Sequence, residues 1–269
     1  MRNTVHTFPA ILLILTLCFA PRIQAQDELF SQKVTVKPNI GFEMFQRNID
    51  VFSRDSDNEE WEKDESGSKI KTYFFTLGAE LELRRGFSVG AFVGFAVSDY
   101  DPVFFRRLPL SLEVEAKKTR GFIAGVDIYK SVFAVKDIEV GGFGQLLYHK
   151  GSEKNWDIPG LNVEGSVSLK PWWMCASIGP IFTYKGSDSF FPYASLRYNR
   201  LWGKLRIDEE VQDLKGTEEK KFSGKSHFSI SAGAQYMITE SFGIAVRTDF
   251  LPYSGGVDLG LSIKLMYSL

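Results

Sequence analysis

The chain is 269 residues long and nearly neutral, with 32 basic and 33 acidic residues and a formal net charge of −1. That balance gives no electrostatic footprint for nucleic acid and no basic patch for an anionic membrane surface. Hydrophobic residues make up 44% of it, yet past the N-terminus no run of about 18 apolar residues exists to cross a bilayer as a helix.

Residues 1–25 read as a secretory signal. Arg2 supplies positive charge, Phe8 to Ala20 the apolar core, and Ala25 the cleavage position. Removing them takes away Arg2 and Arg22 and no acid, so the expected mature chain, 26–269, has 30 basic and 33 acidic residues. Cys175 is then its only cysteine, read as a small packing residue, and no internal disulfide is expected.

From Val34 onward, apolar and polar residues alternate in ten stretches. Strands are expected at Val34–Phe45, Lys69–Arg84, Phe87–Val97, Leu112–Ile128 and Ile138–Tyr148. The second half continues with Leu169–Tyr184, Phe190–Trp202, Phe222–Ile238, Phe242–Leu251 and Val257–Leu269. Each is near or above the nine to eleven residues, roughly, that a tilted strand needs to span a bilayer. Long polar loops are expected near 47–68, 99–111, 150–163 and 203–221, the last as a short helix or disorder over 206–221, with a short link at 252–256. Tight turns fall around Gly86, Gly186 and Glu240, with a longer link at Lys130–Asp137. Pro171, Pro180 and Pro192 should mark strand ends or bulges, since proline cannot donate to a ladder.

The fold class that follows is all-β: a closed, antiparallel, up-and-down transmembrane barrel of about ten strands, with eight or twelve possible. A closed ring leaves no unpaired edge in lipid. A soluble lipocalin-like or sandwich protein would show the same alternation. Tyr73, Tyr129, Tyr184, Trp202, Tyr236 and Tyr267 near strand ends in the apolar phase favour the membrane, where aromatic girdles lie.

With its signal segment, alternation, loop asymmetry and C-terminal strand Gly260-Leu-Ser-Ile-Lys-Leu-Met-Tyr-Ser-Leu269, the chain resembles the small outer-membrane β-barrel proteins of Gram-negative bacteria, the OmpA/OmpX-type superfamily in the broad sense. The resemblance covers 26–269. It implies a bacterial outer membrane, both termini periplasmic, and as partners outer-membrane lipid, lipopolysaccharide and the barrel-assembly machinery. Members usually end in Phe or Trp, and Leu269 departs from that pattern.

The inward phase carries Glu43, Glu80, Glu82, Asp127, Glu139, Arg197, Arg247, Asp249, Asp258 and Lys264, joined by Lys33, Lys37, Glu113, Glu115 and Lys117. Buried charges must be paired, so the expected role is structural or surface-interacting, with a largely closed, charge-paired lumen. A narrow, weakly cation-selective porin is the alternative. An outer-rim hydrolase of lipid or peptide is the third reading, resting on His227, Asp249 and Ser229, with His149, Ser152 and Glu153 a weaker set. No enzyme motif surrounds either histidine, and no catalysis and no cofactor are expected. Asp55, Asp57 and Glu59 in the first loop are weak candidates for a hard cation. The default there is a solvated loop, able to meet an extracellular ligand.

Overall fold

Alternation at period two sends successive side chains to opposite faces of a strand, and strands form wherever this sequence sustains it. The structure, a computed structural model, describes residues 35–54, 61–64, 67–83, 86–106, 112–157 and 165–269. The signal segment and Asp55, Asp57 and Glu59 lie outside those residues.

Ten strands close into an antiparallel ring: β1 (Thr35–Arg54), β3 (Ser68–Leu83), β4 (Phe87–Phe105), β5 (Leu112–Val135), β6 (Ile138–Gly151), β8 (Gly165–Tyr184), β9 (Phe190–Val211), β11 (Phe228–Met237), β12 (Phe242–Tyr253) and β13 (Gly256–Tyr267). The last strand pairs with the first, from Asn39 opposite Met266 to Phe45 opposite Gly260. The first and last strands therefore begin and finish at one end of the barrel. The tight turns lie at that end too. Gly86 adopts φ +64°, where Ser131 would meet any side chain. Lys136 takes φ +53°, so Lys130–Asp137, expected as a longer link, is strand up to Val135 and then a turn.

At the other end the strands outrun the expected loops. β1 continues to Arg54 and is joined by β2 (Trp61–Lys63); β4 continues to Phe105, and β8 is flanked by β7 (Lys154–Asp157). The largest correction concerns 203–221. Instead of a loop, short helix or disorder, β9 runs on to Val211, turns at Gln212, and returns as β10 (Leu214–Gly224). The single strand expected over Phe222–Ile238 is thus two, broken around Ser226.

This hairpin changes the barrel along its axis. β11 occupies the flank of β9 nearer the terminal end, from Phe228 opposite Tyr198 to Tyr236 opposite Phe190. β10 occupies the same flank further out, and its Ile49–Gly224 to Ser53–Lys220 register joins it directly to β1. Strands β11, β12 and β13 therefore stop beneath β10, and a ring of ten strands continues as a ring of eight. A circuit of the narrow ring from Gly41 passes Thr76, Gly94, Ile123, His149, Trp173, Gly203 and Phe222 and returns to β1 at Val51, a stagger of 10 residues. Roughly eight strands enclose just enough space for side chains to fill.

The faces exchange character at the same level. On β3 the outward residues run Leu81, Leu77, Phe75, Tyr73, then Lys71 and Lys69; the inward ones run Glu82, Glu80, Thr76, then Phe74 and Ile70. β9 repeats this, with Leu196 and Tyr198 outward before Lys204, Arg206 and Asp208, and Arg197 and Asn199 inward before Leu205 and Ile207. The wide part is apolar outside and polar inside, as lipid requires; the narrow part is the reverse, as water requires. A bulge with Lys118 at φ +53° shifts the phase of β5. It turns Glu115 and Lys117, expected inward, to the surface, where they pair at 2.8 Å. Tyr129 is corrected the other way: it faces the lumen above Gly141 and donates to Glu139. Pro171 and Pro180 lie inside β8 with no register shift; pairing with β9 passes over Gly179 and Pro180, the edge from which the missing N–H would donate.

Candidate functional site

The inward charges of the wide half meet in one network near the middle of the barrel. Asp249 of β12 accepts from Arg197 of β9 and lies 3.3 Å from Arg247 Nε, whose Nη2 is 3.6 Å from Glu43 of β1. Arg197 also bonds Ser231. Asp127 of β5 takes Lys264 Nζ at 3.3 Å and Gln145 Nε2 at 2.7 Å. Ser177, Asn199 and Ser229 form a neutral chain beside them, with bonds of 2.6 and 2.8 Å. Two strand residues separate successive members on one face, so β1, β9 and β12 each deliver a charge to the same layer. Glu43 Oε1 and Arg197 Nε, which lack hydrogen-bond partners among the described residues, border a cavity of about 20 Å³. That is room for about one water.

Directly outward lies a layered stack. The Arg47 guanidinium carbon is 4.3 Å from the Phe45 ring centre, Phe45 stacks on Trp173 at 5.0 Å and 4°, and Trp173 stacks on His149 at 4.9 Å and 16°. Trp173 and His149 are fully buried. Beyond the stack the interior is mainly apolar, packed with Ile49, Val51, Ile70, Phe105, Leu205, Ile207 and Phe222, with Glu209 and Glu218 buried among them. Lys220 enters this core with its charge matched: Nζ is 2.6 Å from both Asp64 Oδ2 and Ser53 Oγ. A charge-paired layer and a largely apolar layer therefore lie in series along the barrel.

The expected lumen residues divide accordingly. Glu43, Asp127, Arg197, Arg247, Asp249 and Lys264 come together. Glu82 lies at the terminal end, paired with Lys37 at 2.6 Å, and Glu80 is half-buried opposite Gly90. Glu139 takes the Tyr129 hydroxyl. Asp258, fully buried, is a stitch: its carboxylate accepts from Asn48 N at 2.9 Å and Asn48 Nδ2 at 2.6 Å, fastening β13 to β1 where the ring narrows.

The weak rim candidates His227, Asp249 and Ser229 do not come together. His227 is exposed, stacked on Tyr198 outside the barrel, because the chain turns after Gly224 and breaks the phase expected for it. Asp249 is held by arginines, and Ser229 by Asn199. His149, expected in a loop with Ser152 and Glu153, is buried in β6, 3.4 Å from Ser98 Oγ. Outside the barrel, above the apolar band, Asp208 accepts from Lys170 at 2.9 Å, Arg206 at 3.0 Å and Thr217 at 2.8 Å. Partial burial pushes its carboxyl up, but the bonds from Lys170, Thr217 and Arg206 prevail and hold it below its ordinary value. Arg47, Gln145, Asn199, Phe45 and Trp173 were not among the expected site residues, and His149 was expected only as a weak rim candidate. Their signal was present, since all lie in the inward phase of their strands.

No family model matches the chain, and no curated protein does. Among solved structures, the chain is similar to the outer membrane protease OmpT from Escherichia coli, at 10% identity over 87% of this chain and 95% of that one, with a TM-score of 0.48. It is similar to the translocator domain of the autotransporter NalP from Neisseria meningitidis, at 10% identity over 96% and 97%, TM-score 0.44. It is also similar to Ail, the attachment invasion locus protein of Yersinia pestis, at 11% identity over 88% and 100%, TM-score 0.31.

Proposed function

We propose that this chain is an integral protein of a bacterial outer membrane, of the OmpA/OmpX kind in the broad sense, and that it acts as a closed barrel for surface interaction. The apolar plug of the eight-strand half carries this reading. A transport barrel needs a continuous wet path, whereas side chains of Trp173, Phe105, Ile207 and Phe222 fill the interior beyond the charged layer. Both termini lie in the periplasm in this account. The apolar exterior of the wide half spans the membrane, and the narrow half stands outside it as a rigid pedestal for the links between β1 and β2, β4 and β5, and β7 and β8. Assembly machinery and lipopolysaccharide are its membrane partners, and an extracellular ligand would meet those links. The role is non-enzymatic, as the histidines and Asp249 are each occupied elsewhere.

Outer-membrane fractionation combined with liposome swelling tests the proposal. The protein should partition with outer membranes and leave proteoliposomes impermeable to small sugars. Swelling rates rising with sugar permeability, from protein shown to be folded, would refute the closed-barrel role.

A further inference from the structure

His149 is a titratable group that a permanently closed barrel leaves unused. It is fully buried in β6, where the interior passes from charged to mainly apolar. Trp173 stacks on one face of its ring, and Gly121 lies against its edge, where a Cβ would stand 2.6 Å from Nε2. The polar groups around it are neutral. Nε2 is 3.4 Å from Ser98 Oγ of β4, which bonds Thr72 of β3 at 2.9 Å. Thr119 of β5 stands opposite Ser98, and Tyr100 is buried two places further along β4. His149 Nδ1 has no hydrogen-bond partner, and no charged side chain reaches the ring, among the described residues. The charge that ends its stack is another cation, Arg47, beyond Phe45. Glu43, Asp127 and Asp249 are taken up by Arg247, Lys264 and Arg197 on the terminal side. Further out, Asp64 holds Lys220, and Glu209 and Glu218 have interactions of their own. A proton on this imidazole would therefore be a buried charge with no partner, which the closed barrel cannot accommodate.

We propose that the barrel is an acid-gated channel: a proton on His149 drives the ring off Trp173 towards water and opens the plug to small ions. The charged layer beneath, with its cavity of about 20 Å³, restricts what passes. No covalent bond breaks; one proton moves from water to an imidazole nitrogen. In the open form the ring is hydrated and takes that proton near the ordinary imidazole value, about pH 6.5. The open form binds a proton that the closed form does not, so falling pH favours opening. Below that value each unit of pH should raise the open-to-closed ratio by up to about tenfold. The activity rests on the closed-barrel reading, because a lumen already open near neutral pH has nothing to gate.

Current through planar bilayers holding the full chain, recorded in potassium chloride from about pH 7.5 to about pH 4.5, provides the test. Circular dichroism at both ends of the range shows that each protein is folded. The unmodified barrel should be silent at the upper end and show steps whose open fraction grows as pH falls. His149→Phe keeps a ring against Trp173 but takes no proton, so it should stay silent throughout. Ser98→Asp sets a carboxylate beside Nε2, gives the imidazolium a partner inside the closed barrel, and should also keep it shut in acid. If His149→Phe does not fold, Ser98→Asp decides alone. Steps from the unmodified barrel at the upper end would sink the closed-barrel reading and the gate together. Silence in acid from a folded barrel overturns the gate and leaves the closed barrel standing. Acid steps that persist in either folded variant assign the response to carboxylates such as Asp64, Glu209 or Glu218, and overturn the role of His149.

Discussion

The two halves of this barrel solve opposite solvent problems with one strand pattern. In the ten-strand half, lipid outside demands apolar residues and leaves charges to the interior; in the eight-strand half, water outside reverses both faces. β3 and β9 cross the boundary without a break, so the inversion comes from which residues occupy alternate positions, from Phe75 to Lys71 outward and from Glu80 to Ile70 inward. Narrowing and inversion belong together. An apolar interior must be filled, and an eight-strand ring is about as wide as side chains alone can fill. The wider ring has space left at its centre, and charges with their partners occupy it.

The largest effect belongs to Trp173, in the layer where the two halves meet. Trp173→Ala should cost about 3–5 kcal/mol by removing a fully buried ring that stacks on both Phe45 and His149. Urea unfolding of the barrel in lipid vesicles would measure this, and a loss under about 1 kcal/mol would mean that the interior collapses around the gap. On the charged side, Asp249→Ala should also cost about 3–5 kcal/mol, because it leaves Arg197 and Arg247 buried without their shared carboxylate. Adding Arg197→Met should then recover part of the loss, which separates charge burial from lost packing; further destabilisation by the second change would contradict the pairing.

Asp258→Ala probes the seam. Losing two bonds to Asn48 should cost about 1.5–3 kcal/mol. Hydrogen exchange should speed up at β13 and at the middle of β1 and leave β3–β6 unchanged; uniform acceleration would argue against a local stitch. The smallest effect belongs to the water-exposed face. Asp208→Asn should cost no more than about 1 kcal/mol near neutral pH. The carboxyl is depressed in the folded state, so its contribution is present above the ordinary carboxylate range and is lost as pH falls through the folded value. The substitution should therefore flatten the acid-side decline in stability, and an unchanged decline would remove Asp208 from the account.

The membrane half was legible in the sequence because its apolar phase is long and aromatic; the ten-strand ring and six of the meeting charges follow from that phase alone. The outer half was misread as loops because its outward residues are charged. Leu201, Leu205, Ile207 and Val211 share one phase, interrupted by Gly203 and the buried Glu209, and alternate with Lys204, Arg206, Asp208 and Glu210. The phase was there with its polarity reversed, and a reading tuned to lipid passed over it. His227 was misplaced for a different reason. Phe222 and Phe228 fit one period-two run, and nothing local announces the change of partner at Ser226, which is set by β10 reaching β1 and by Ser226 Oγ bonding Pro252 O at 2.8 Å. Tertiary pairing overrode the local pattern.

Single-channel recording in planar bilayers, comparing the folded protein with Trp173→Ala and with the Phe105→Ala/Phe222→Ala double variant, addresses the apolar seal most directly. The unmodified barrel should be silent, and conducting steps should appear once the plug is opened, with the charged layer still in place. Defined steps from the unmodified barrel would contradict the seal.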